Sequence, residues 1–73
     1  MKYSMVIQWS DEDQVYIVSL PEWEAVGHTG HVHGKTYAEA VRQGEELIEN
    51  LIEWAKQDGS PIPAPRVFAE STS

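Results

Sequence analysis

Cysteine is absent from all 73 residues, so the chain has no disulfide staple, no thiolate for a metal and no cysteine nucleophile. That usage agrees with a reducing cytoplasm, which is the expected compartment. Basic residues are scarce: 5 Lys and Arg stand against 12 Asp and Glu, a formal charge of −7. The cations Lys2, Lys35, Arg42, Lys56 and Arg66 are scattered, which argues against direct nucleic-acid binding. Such an acidic chain suits a basic partner, and the same charge also serves plain solubility. Long apolar runs are missing, so no membrane span is expected. Met1-Lys2-Tyr3-Ser4 leads into alternation rather than an apolar core, so no signal peptide is expected.

What is present fits a small α+β domain. From Lys2 to Trp9, the residues Tyr3, Met5, Ile7 and Trp9 alternate with Ser4, Val6 and Gln8, the period of a half-buried strand. A polar turn, Ser10 to Gln14, joins it to a β-branched and aromatic run, Val15 to Leu20, and the two read as an antiparallel hairpin. Pro21 has no N–H to donate and ends the ladder. A third strand is expected within Ala25 to His33. A helix of roughly 20 residues follows, opened by the capping-box pattern of Thr36 and Glu39, with apolar residues at a 3.6 period. Gly59 and Pro61 close it. Three alternating prolines, Pro61, Pro63 and Pro65, leave room only for a short edge strand near Val67.

The order is therefore β-β-β-α-β, with residues 1–68 as a single domain and 69–73 as a flexible tail. A core this small is marginal on its own, so a homodimer or higher homo-oligomer is expected.

Three short words stand at sensible spacing along this order: Tyr16 with Ser19-Leu20-Pro21-Glu22 at the hairpin exit, Gly34-Lys35-Thr36-Tyr37-Ala38-Glu39-Ala40 at the helix entry, and Gly59-Ser60-Pro61-Ile62-Pro63 at its end. With them the chain resembles the HicB-like antitoxin family over about residues 1 to 68. One departure is Glu24-Ala25-Val26-Gly27, where that family usually has a Pro-Gly-Cys-like step. The resemblance implies a partial ribonuclease-H-like fold. It also implies a non-catalytic role in a type II toxin–antitoxin system: masking a small basic HicA-type toxin that cleaves RNA. Fuller members of that family carry a C-terminal DNA-binding domain; none is expected here, and neither is autorepression by this chain alone.

Catalysis finds little footing in the residues. Two-metal hydrolysis calls for converging carboxylates, normally with one on the first strand, and that strand has none. Ser10 and Ser19 read as turn and strand residues and Thr36 as a helix cap. Gly27, Gly30 and Gly34 lack the spacing of a phosphate loop. No cofactor is expected. His28, His31 and His33 form H-x-x-H-x-H, and on a strand His31 and His33 would share one face, the alternative being a zinc or nickel site. Among the tryptophans, Trp54 falls near the core stripe of the helix, whereas Trp23 at the hairpin exit is the better contact residue. A partner site is accordingly expected at Asp11, Glu12, Asp13, Glu22 and Trp23, with the carboxylates steering a basic surface.

Overall fold

A computed structural model describes residues 1–69; the expected tail falls mostly outside them, at 70–73. The elements run β1 (Val6–Ser10), β2 (Val15–Ser19), α1 (Pro21–Ala25), β3 (Val32–Gly34) and α2 (Tyr37–Asp58). The fold is α+β: a three-stranded antiparallel sheet in the order β1-β2-β3, with the long helix packed chiefly on β3 and β2.

The hairpin follows from its turn chemistry. Ser10 sits opposite Val15, and the Gln14 N–H reaches the Ser10 carbonyl at 2.8 Å to close the loop. Its Oγ also accepts the Asp13 N–H at 3.2 Å, the local bond that serine offers a turning backbone. Pairing begins at Val6↔Ser19 rather than at Lys2. Continuing that register would set Ser4 against Pro21, which has no N–H, and there the partner strand has already turned into α1.

Two expected strands need correction. Of the third strand's expected range, Ala25 to His33, only Val32 and His33 are strand: Ala25 ends a single helical turn, Pro21–Ala25, and residues 26–31 form the connection to β3 at Val32–Gly34. Proline at the first helical position has its φ preset and gives up an N–H that would be orphaned anyway; Glu22 and Glu24 then favour the positive end of the turn. The expected fourth strand near Val67 is not among the strands of the described residues. Arg66 sends its N–H to a side chain, the Glu22 carboxylate, instead of to a strand carbonyl.

Side chains alternate across the sheet, so Ile7, Tyr16, Val18 and Val32 pack toward α2, while the row Gln8, Ile17 and His33 faces away. The core is Val18, Leu20, Trp23, Ala40 and Ile48. Burying a side chain of the size of Ile48 contributes about 1.5–3 kcal/mol. Helix and sheet approach closely because Gly34 lies under the helix start. A Cβ there would stand 2.8 Å from the Ala40 Cα and from the Glu39 carbonyl carbon.

The helix ends match their sequence signals. Thr36 Oγ1 accepts the Glu39 N–H at 3.1 Å, and Gly59 ends the helix in the left-handed region at φ 72°. Trp54 departs from expectation: it is 45 % exposed rather than under the helix. At 100° per residue it lies about 120° around the axis from Ile48, outside the stripe that Ala40, Gly44, Ile48 and Ala55 bury.

Candidate functional site

The expected partner residues separate into two groups in space. Asp11, Glu12 and Asp13 are exposed at the β1–β2 turn. Gln14 stiffens that turn by donating its side-chain N–H to the Asp11 carbonyl at 2.6 Å. Beside the turn, Trp9 is 47 % exposed, and its indole N–H donates to Asp11 Oδ1 at 3.3 Å. A carboxylate is thereby held at the edge of an accessible aromatic ring.

Glu22 and Trp23 lie inside, which corrects their assignment as contact residues. Trp23 is 0 % and Glu22 1 % exposed, so a partner cannot reach either without opening the fold. The reason is α1: one helical turn rotates Trp23 inward, where it meets Tyr3 at a ring separation of 5.5 Å. Its indole N–H is buried with no hydrogen-bond partner among the described residues.

Glu22 has a structural task. Its Oε2 accepts N–H groups from Ser4 at 3.0 Å and Arg66 at 2.9 Å, together with the Ser4 hydroxyl at 3.1 Å. Burial alone would push the carboxyl up. The N–H of Arg66, its own N–H and the N–H and hydroxyl of Ser4 outweigh that and hold it below the ordinary glutamate value.

The histidines divide as well. His31 and His33 line one open groove of about 360 Å³ with Asp13, Val15 and Ile17, on the sheet face turned away from α2. His28 is elsewhere, its ring 5.8 Å from Trp23 and 5.1 Å from Trp54. Among the described residues no group of three or more His, Cys, Asp or Glu side chains is placed to hold a metal ion. Among the described residues the two groove histidines therefore have no third protein ligand of the kind a closed site or a catalytic zinc requires.

One feature escaped the sequence. Trp9, opposite Tyr16 in the hairpin register, meets it edge-on at 5.0 Å, and Tyr16 in turn stacks on Tyr37 at 4.4 Å. Trp9 and Tyr37 remain 47 % and 60 % exposed. The alternation of β1 placed Trp9 on the Ile7 face, yet nothing local to Tyr37 shows that the helix start lands over Tyr16.

No helix among the described residues is long and apolar enough to cross a membrane. Comparison with protein-family models, with curated proteins and with solved structures finds no match to this chain.

Proposed function

We propose that this chain is a non-catalytic, HicB-like antitoxin that acts in the cytoplasm by covering a small basic HicA-type, RNA-cleaving toxin. Its architecture is then a partial ribonuclease-H-like sheet, and its mechanism needs no cofactor and no direct contact with nucleic acid. The observation that carries this reading is the exposed Asp11-Glu12-Asp13 tip beside an accessible tryptophan. A second acidic surface supports it: Glu45, Glu46, Glu49 and Glu53 are exposed along α2. Carboxylates spread in this way steer a basic partner into contact and speed association at low ionic strength, while burial of the aromatic face holds it there. An RNA-cleaving protein must itself be basic where it grips phosphates, so an acidic cover competes for the same surface.

The test is inhibition of RNA cleavage by a purified HicA-type toxin as this chain is titrated in. Cleavage ends near stoichiometric addition if the reading holds, and the charge-reversed variant carrying Asp11→Lys, Glu12→Lys and Asp13→Lys requires a large excess. Undiminished cleavage at saturating protein overturns it.

A second reading is a stand-alone homo-oligomer that binds a metal or small ligand. The open groove that places His31 and His33 side by side supports it, with two protein ligands and the remaining positions left to solvent or a second copy, as does the small core. It predicts a zinc- or nickel-dependent rise in melting temperature that disappears in the His31→Ala/His33→Ala variant.

A further inference from the structure

We propose that the Trp9–Tyr16–Tyr37 cluster is the docking site for an arginine side chain on the basic protein partner. The Trp9 face would receive the guanidinium and the Asp11 carboxylate would take its N–H groups. The inference rests on the antitoxin reading for the identity of the partner and locates the contact on the surface. Three aromatic rings from three separate stretches of chain form one continuous strip, with ring separations of 5.0 and 4.4 Å. Val41 extends it one helical turn beyond Tyr37 and is itself 38 % exposed.

The outer members contribute little to the core. Trp9 is 47 % and Tyr37 60 % exposed, whereas Trp23, Leu20 and Val18 do the inner packing. Rigid aromatic residues left accessible at the meeting of sheet and helix have the character of an interface centre rather than of a core.

Charge selects the occupant. Asp11 is bound to the Trp9 indole N–H through Oδ1, its second oxygen has no hydrogen bond among the described residues, and Glu12 and Asp13 follow, both exposed. A planar cation can lie on an indole face while donating to a carboxylate at the ring's edge, a geometry that suits arginine better than the compact ammonium of lysine. The same carboxylates repel phosphate, which disfavours RNA or DNA on this strip. A second copy would bring its own −7 charge and its own acidic turn to the same place. Lys35, two residues before Tyr37, adds a positive charge near the helix start, so the guanidinium belongs at the Trp9 end.

The experiment is an NMR titration of the full chain with an arginine-rich peptide and with its lysine-for-arginine twin of equal length. The Trp9 indole N–H is assigned by its loss in Trp9→Phe. Expected are saturable shifts at Trp9, Tyr16, Tyr37 and Asp11 to Asp13, with the arginine peptide binding about 2- to 5-fold tighter, the size of an exposed cation–π contact. Trp9→Leu should remove that preference, Asp11→Asn should weaken binding of both peptides, and Trp54→Leu, at the other exposed tryptophan, should change neither.

Equal affinity for the two peptides overturns the proposal, as do shifts confined to the acidic face of α2. So do shifts that follow protein concentration without peptide, which would assign the strip to a second copy. Toxin inhibition that survives Trp9→Leu and Tyr37→Ala unchanged sinks this site while leaving the antitoxin reading intact. Absence of toxin inhibition by the unaltered chain sinks the reading itself.

Discussion

Arg66 donates its backbone N–H to the Glu22 carboxylate at 2.9 Å across 44 residues of sequence, and that bond ties the proline-rich exit of the chain to the start of α1. The same carboxylate holds Ser4, so a single buried side chain joins the N-terminal segment, the short helix and the exit. Glu22→Gln keeps the shape but places an NH2 among donors. It should cost about 1–3 kcal/mol, the range for a charge-assisted bond lost with one partner left buried. Urea denaturation at neutral pH measures this.

The same group sets an acid limit. Because the folded-state pKa of Glu22 is below its unfolded value, its stabilisation is fully present above the unfolded pKa and is lost as pH falls toward the folded one. Melting curves through the acid range should show the wild type losing stability in that window more steeply than Glu22→Gln. Parallel curves for the two proteins would contradict the role given to this carboxylate.

Gly34 and Gly44 both lie where helix meets sheet, and alanine should affect them differently. At Gly34 the new Cβ meets the backbone of Glu39 and Ala40, which cannot yield without moving the helix. At Gly44 it meets Met5 Sδ at 2.7 Å and Val18 Cγ1 at 3.1 Å, and the methionine can swing away. Helix propensity then returns about 1 kcal/mol at Gly44. Gly34→Ala should therefore lower the melting temperature sharply, or abolish folding, while Gly44→Ala changes it little. A reversed order would refute the close approach at Gly34.

The Thr36 cap is a smaller contribution. Removing the oxygen that accepts the Glu39 N–H, as in Thr36→Ala, should cost about 1 kcal/mol, and Thr36→Ser should retain most of the stability. Equilibrium unfolding of the three proteins gives the comparison.

Tryptophan emission can separate the inner ring from the outer two. With Trp9→Phe and Trp54→Phe combined, the remaining Trp23 should emit at short wavelength and resist acrylamide, because it is 0 % exposed. Emission at the wavelength of a hydrated indole with ready quenching would return Trp23 to the surface.

Much of this architecture was legible in the residues. The alternation through Ile7 and Trp9, the polar turn, and the Thr36-to-Gly59 helix signals each rest on local chemistry, and the second strand and the long helix formed near their expected bounds, while the first strand is shorter and starts at Val6. Errors arose where one residue supports two outcomes. Pro21 ends a strand and also starts a helix, and its second role turned Glu22 and Trp23 inward. Trp54 was placed by apolar character, although its angle around the helix puts it outside the buried stripe. The exposed acids of the turn needed no tertiary information. The stacking of Tyr37 on Tyr16 depends on the crossing of α2 over the sheet, which no local pattern specifies.

The central claim is a basic RNA-cleaving partner, and purification of the tagged chain from its native host at low salt tests it most directly. Intact mass should show one small basic protein in fixed ratio, released by high salt, which cleaves RNA once free and stops when this chain is returned. Recovery of only copies of this chain, or of a co-eluting protein without RNA-cleaving activity, would contradict the account.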